Sequence, residues 1–308
     1  MLDPLADRKA INRRPVEPSV SFQLVHPSTP EEAIRLLSLS AKGEIAVLGG
    51  GTDLLADLDA SRIAPIQILS LRKLPWKYVR WEADSLVVGS TLPLRTLEND
   101  PHLRHRLPGL WEAIRDVGSP ALRIRATLGG NLGRCSPASD LLPMLLALDA
   151  RVRIVGPNGV RELPVDMVLQ ESRRTSLGPA ELIESVILPA SAPSTYLWQR
   201  VRPVNDISQV GVAVAFAAER PHWHIALGGL QPRARRMSEA EAVLRSAHPT
   251  NFEMELASQE ASRRAEFVSD KRATESYRRR LIAVLVRRAI QTTVERMTKP
   301  SRPRRASK

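Results

Sequence analysis

Two glycine-rich stretches carry most of the chemistry this sequence can hold. Residues 47–55 read VLGGGTDLL, with Gly49, Gly50 and Gly51 followed by Thr52 and Asp53. Residues 125–143 read RATLGGNLGRCSPASDLLP, with Thr127 and Leu128 ahead of Gly129, Gly130 and Asn131, and Cys135 before Asp140. Glycine has no Cβ, so the backbone can approach a ligand closely and can adopt positive φ. Successive exposed N–H groups in such a turn form a concavity suited to anions, and the hydroxyls of Thr52 and Thr127 can add to it. Two such cradles converging on one pyrophosphate explain why both exist, each loop holding one phosphate of a dinucleotide. Asp53 or Asp140 can then accept a hydrogen bond from a ribose, a ribityl chain or a ring N–H. Taken singly, each stretch is an ordinary turn or a helix C-cap.

Other chemistries find less support. Neither stretch fits the G-x-G-x-x-G fingerprint or the G-x-x-x-x-G-K-[ST] phosphate loop. No G-x-S-x-G or Ser-His-Asp pattern is present. The single cysteine, Cys135, excludes an internal disulfide, a cysteine-rich zinc site and an all-cysteine iron–sulfur cluster held by this chain alone. With no base partner specified, Cys135 reads as a small packing residue. His222 and His224 share one face of a strand; they are too few for a metal and read as surface histidines. Tyr196 and Trp198 could meet an aromatic cofactor but read first as packing residues.

The chain of 308 residues suggests two domains. Aromatic residues make up only 4% of it, so the core must be built from Leu, Val, Ile and Ala. The net charge of +12 suits a nucleic-acid surface or docking on acidic protein partners. The excess lies at the ends and in the last third, in RRAEF, SYRRR, VRRA and the tail SRPRRASK, and no nucleic-acid-binding signature accompanies it. The reading is therefore against nucleic acid. No secretory h-region and no 18-residue apolar run occur, which predicts no membrane span and a soluble, cytoplasmic protein.

Local patterns place the glycine stretches between regular elements. Thr29, Pro30 and Glu32 open a helix through a capping box, with Ala33, Leu36 and Leu37 on its apolar face. EIAVLGGG is a short strand ending in the first glycines, and IQILSL and SLVVGSTLPL are further strands. RHRLPGLWEAIRDVG is predicted helical, and so is SDLLPMLLALDA with Ser139 or Asp140 as its cap. RVRIVGPNGVRELPV forms a hairpin about Pro157-Asn158-Gly159. Beyond the Pro/Ser/Ala stretch at 188–196, STYLWQRV, ISQVGVAVAFAAE and HWHIALGGL give three antiparallel strands. SEAEAVLRSA and SYRRRLIAVLVRRAIQTTVERM give helices, the second with Leu281, Leu285 and Ala289 on one face.

The two glycine stretches together, followed by ELIESVILP and by VNDISQVGVAVAF and HIALGGLQPRARRMSEAEAVL, resemble the FAD-binding medium subunit of molybdenum hydroxylases. This family includes the medium chain of carbon monoxide dehydrogenase and the FAD domain of xanthine dehydrogenase. FQLVHPSTPEEAIRLL fits its N-terminal strand and helix, so the resemblance covers about residues 21–246.

It implies an α+β fold: a two-subdomain FAD-binding domain over 21–190, then a C-terminal domain over 191–297 with a three-stranded antiparallel sheet and helices. A disordered leader over 1–20 and a basic tail over 298–308 lie outside the pattern. It implies that Leu48, Gly49, Gly50, Gly51, Thr52 and Asp53, with Thr127, Leu128, Gly129, Gly130 and Asn131, wrap the FAD pyrophosphate. Asp140 matches the family's aspartate near the flavin, and Gln209 falls where some members carry a basic residue near the ring. Two departures stand out. Ala121-Leu122-Arg123-Ile124 replaces a common Gln-Ile-Arg-Asn, and Gly133-Arg134 replaces a frequent Cys-Asn. The cysteine-rich insertion of some relatives is also missing.

The function implied is an electron-transfer oxidoreductase subunit in a hetero-oligomer. Molybdopterin would sit on a large subunit and the [2Fe-2S] clusters on a small one, with FAD here passing electrons to an external acceptor. No catalytic residue and no metal ligand is expected in this chain. Two alternatives remain open from the residues: a flavin-free basic scaffold or nucleic-acid-binding protein, suggested by the charge, and a stand-alone flavin reductase of related fold.

Overall fold

The computed structural model describes residues 22–202, 206–219, 221–230, 232–267 and 269–298. The expected leader lies outside the described residues. So does the expected tail beyond Thr298, which itself ends a helix.

The first glycine stretch hangs from a small parallel sheet ordered Gln23–Val25, Gln67–Ser70, Ile45–Leu48. The helix Pro30–Leu39 packs on it through Ala33 and Leu37. Thr29 caps that helix, its hydroxyl accepting from Glu32 N. The Glu32 carboxylate reaches one residue further back than a capping box does, accepting from Ser28 N at 2.7 Å.

A five-stranded antiparallel sheet follows, ordered Val79–Trp81, Ser85–Gly89, Leu182–Pro189, Arg151–Gly156, Gly159–Pro164. The hairpin read about Asn158-Gly159 is its outer pair, with Gly159 at φ +97°. The predicted helix across RHRLPGLWEAIRDVG is two helices, Leu103–Arg106 and Pro108–Asp116. Pro108 has no N–H to continue the first helix and starts the second instead.

The third sheet has four strands: Ser194–Gln199, Val210–Ala217, His222–Gly228 and Arg235–Arg236. The last is a two-residue strand that the expected three-stranded sheet lacked. VGVAVAF, from Val210 to Phe216, is buried throughout because the sheet is covered on both faces, as continuous apolar strands are. Val210, Val212, Val214 and Phe216 face a core shared with the C-terminal helices. Ala213 and Ala215 join the main core, which also holds the helix Leu141–Ala147. The small residues alternate with the large because that helix lies close: a Cβ on Gly228 would sit 2.8 Å from Pro143 Cγ.

The two C-terminal helices of most weight are Asn251–Arg264 and Glu275–Thr298. The first was not read from the sequence, although Thr250 and Glu253 form a full capping box that announces it. SEAEAVLRSA is helical only over Ser238–Glu241. Within the described basic runs, Arg263 and Arg264 pair with Glu260, Arg278 with Asp270, Arg279 with Glu275 and Arg287 with Glu255. Among the described residues, no helix is long and apolar enough to cross a membrane.

Candidate functional site

The strand Ile45–Leu48 delivers the first glycine loop to the edge of a cleft. Gly51 has φ +86°, a conformation that L side chains rarely adopt, and a Cβ there would stand 2.9 Å from Leu48 Cδ1. Gly50 meets the second stretch directly. A Cβ there would lie 2.0 Å from the Arg125 carbonyl oxygen, and Arg125 Nε donates back to Gly50 O at 3.5 Å. Asp53 ends the loop at the N-cap position of the helix Leu54–Asp59, but its carboxylate makes no capping bond.

The second stretch is a helix start and not a left-handed turn. Thr127 caps the helix Leu128–Arg134, its Oγ1 accepting from Gly130 N at 3.0 Å. Neither Gly129 nor Gly130 has positive φ. Gly129 is required because the helix packs on Ser90, whose Cβ would be 2.5 Å from an added Cβ. Gly130 has only Thr127 Oγ1 nearby, so its missing side chain leaves open space.

That space belongs to a cleft of about 210 Å³ between the two stretches. Thr127, Gly130, Asn131 and Arg134, spaced as one helical face, form one wall. Gly49, Gly50, Gly51, Thr52 and Asp53, with Leu54 and Asp57, form the other. Eight of the residues singled out from the sequence are thus brought together. Leu48 lies beneath Gly51, Leu128 is in the main core, and Gly129 faces Ser90. Asn131 spends its side chain internally, donating to Thr127 O and accepting from Ser139 Oγ.

The reading from the sequence missed Arg134 and Asp57. Arg134 Nη1 donates to Asp57 Oδ2 at 2.5 Å, and its Nε lies 3.6 Å from Asp53 Oδ1 across the cleft. Asp57 is buried and also paired with Arg62. The Arg134 guanidinium, seconded by Arg62, holds the Asp57 carboxyl below the usual carboxylate range despite burial. The basic residue at 134 in place of asparagine was the available signal.

Asp140 and Gln209 do not line this cleft. Asp140 caps nothing. Its carboxylate is buried and accepts from Tyr196 Oη at 2.7 Å, Ser208 Oγ at 2.6 Å and Arg200 Nη2 at 2.9 Å. Burial pushes the Asp140 carboxyl up, opposed by Arg200 and these hydrogen bonds. Arg200 lies over the Trp198 ring, and the Trp198 indole donates to Asp116. Tyr196 and Trp198 are therefore members of a polar network joining the third sheet to the helices before it. Gln209 is buried and donates to Arg272 O at 2.6 Å.

Cys135 is buried, as expected, with its Sγ donating to Glu171 O. Burial pushes its thiol pKa up, which opposes a nucleophilic role. His224 corrects the reading of surface histidines: it is buried, with Nδ1 2.9 Å from Ala147 O, while His222 is exposed. The closed sandwich of sheet and helix, invisible in HWH, decides which imidazole is covered. Among the described residues, no group of three or more His, Cys, Asp or Glu is arranged to hold a metal.

This fold and cleft define a class. Residues 20–191 match the family described as the FAD binding domain in molybdopterin dehydrogenase, and residues 196–293 match the CO dehydrogenase flavoprotein C-terminal domain. The chain belongs to this family of oxidoreductase flavoproteins, whose cofactor is FAD. Among its relatives is the nicotine 6-hydroxylase medium subunit of Paenarthrobacter nicotinovorans, 28% identical over 88% of this chain and 96% of that one. The carbon monoxide dehydrogenase medium chain of Hydrogenophaga pseudoflava is 26% identical over 87% and 96%. A solved structure of carbon monoxide dehydrogenase from that organism, lacking the Mo-pyranopterin moiety, superposes with a TM-score of 0.83, at 26% identity, over 89% of this chain and 98% of that one.

The residues present fit the group that the family implies. Gly130 leaves a gap that any side chain would enter, and the Gly49–Asp53 wall places backbone and a threonine hydroxyl opposite it. Both are what close approach of a pyrophosphate requires.

Proposed function

We propose that this chain is the FAD-binding, electron-transfer subunit of a molybdenum hydroxylase complex. In this reading Gly49 to Asp53 and Thr127 to Asn131 hold the FAD pyrophosphate. A partner with [2Fe-2S] clusters delivers electrons, a molybdopterin-binding large subunit transforms the substrate, and an external acceptor takes the electrons away. When bound, FAD supplies the redox chemistry, accepting electrons and releasing them. The chain's own residues bind the flavin nucleotide, orient it and set its surroundings.

The observation that carries the reading is the convergence of the two glycine segments on one cleft with Gly130 open towards it. Two relatives are named as a medium subunit or medium chain, which supports assembly with other chains. The C-terminal match over residues 196–293 favours such a subunit over a stand-alone reductase. Pairing of Arg263, Arg264, Arg279 and Arg287 with glutamates of the same chain weakens the case for a nucleic-acid surface on these helices.

The test is to express the chain with its neighbouring genes and purify it under native conditions. A flavin absorbance spectrum, FAD released on denaturation, and co-purifying iron–sulfur and molybdopterin chains are expected. A colourless, folded chain without partners would overturn the reading.

A further inference from the structure

We propose that Arg134 is the charged ligand of this cleft, contacting the phosphates of the flavin nucleotide from the end of the wall opposite the first glycine loop. This rests on the reading of the cleft as the FAD site. The two carboxylates that line the cleft, Asp53 and Asp57, face an anionic ligand from one wall. Without a cation there, they would repel a pyrophosphate. Arg134 is the cation that lines the cleft with them. It stands three residues beyond Asn131 and four beyond Gly130, on the same helical face, so its side chain continues the wall that the open glycine begins.

The guanidinium is already oriented. Its Nη1 is spent on buried Asp57, which Arg62 holds from the other side. Its Nε faces Asp53 at 3.6 Å, an ion pair longer than a hydrogen bond. A guanidinium has five N–H donors in a planar fork, and one bond to Asp57 leaves the others available. Phosphate oxygens match that fork. Asp53, exposed and without a capping bond, can yield its contact without leaving a buried charge behind. Asp57 thus acts as a positioning residue and Arg134 as the ligand.

The test uses the full-length chain stripped of flavin, titrated with FAD by flavin fluorescence at two salt concentrations, with thermal midpoints in parallel. Arg134→Gln should weaken FAD binding by about tenfold or more, the loss of one charge-assisted contact, and should flatten the salt dependence. Asp57→Asn removes the same ion pair but keeps an oxygen to orient Arg134. It should lower the midpoint while keeping affinity within about threefold. Equal loss of affinity in both variants would mean that the pair only holds the wall together, and would overturn the proposal. Unchanged affinity in Arg134→Gln beside a wild type that binds FAD would overturn it too, leaving the FAD reading intact. A wild type that binds no FAD would overturn both.

Discussion

Gly50 and Arg125 touch through backbone: a Cβ on Gly50 would stand 2.0 Å from the Arg125 carbonyl oxygen and 2.7 Å from its carbon. A backbone carbonyl at a helix approach cannot swing aside as a side-chain end can. This contact sets the distance between the two glycine segments, and hence the width of the cleft. Gly50→Ala should force the segments apart, costing about 1–3 kcal/mol as overpacking does. FAD occupancy should fall along with the thermal midpoint, measured by absorbance and by thermal unfolding of the same sample. Full occupancy in this variant would show that the contact does not set the site.

Gly130 behaves differently because it lies in a helix and its φ is not positive. The strain argument suited to a left-handed turn belongs to Gly51 instead. At position 130 alanine gains up to about 1 kcal/mol of helix propensity, while its methyl enters the cleft and presses on Thr127 Oγ1 at 3.0 Å. Gly130→Ala should therefore keep the midpoint near wild type and lower FAD affinity, and Gly130→Val should strip FAD. Gly159→Val, in the hairpin turn at φ +97°, is the control. It should lower the midpoint with FAD occupancy unchanged.

Asp140 ties the third sheet to the helix Leu141–Ala147 through Tyr196, Ser208 and Arg200. Asp140→Ala removes the near carboxylate of the buried Arg200 guanidinium, leaving it Ser208 Oγ at 3.1 Å, the Asp116 carbonyl and the more distant Asp116 carboxylate, 3.9 Å away. Breaking a buried pair from one side costs about 3–5 kcal/mol. Denaturant unfolding should show a loss of that size, and a change below about 1 kcal/mol would mean that the network is solvated in solution.

His224 predicts a pH response. Burial lowers its pKa below 6.5, nearby Arg236 adds to the effect, and the bond to Ala147 O opposes it. The folded state therefore resists protonation that the unfolded chain accepts. The contribution is fully present above the unfolded pKa and is lost as pH falls through it towards the lowered folded value. The midpoint should drop on acidification from about pH 7 to about pH 5.5. His224→Gln, which keeps a donor for Ala147 O and does not titrate, should drop less. Identical profiles would assign the acid response elsewhere.

What the sequence determined by itself is local. Thr29 and Pro30 start a helix, Asn158-Gly159 turns a hairpin, and glycines at 49–51 end a strand, because capping, missing N–H groups and permitted φ act within a few residues. The same locality made Thr250 and Glu253 readable, although they went unread. The two glycine segments of the cleft were also legible, because two loops poor in side chains are unusual in one chain, but Asp57 and Arg134 were not. The tertiary structure alone decided what each side chain faces. TLGGN became the capped start of a helix with Gly129 packed on Ser90, and Asp140 turned to Arg200 and Tyr196, 60 and 56 residues away. Arg134 met Asp57 across 77 residues of chain. Burial and charge pairing depend on which distant segments close around a group, and neither spacing nor residue type within a short window specifies that.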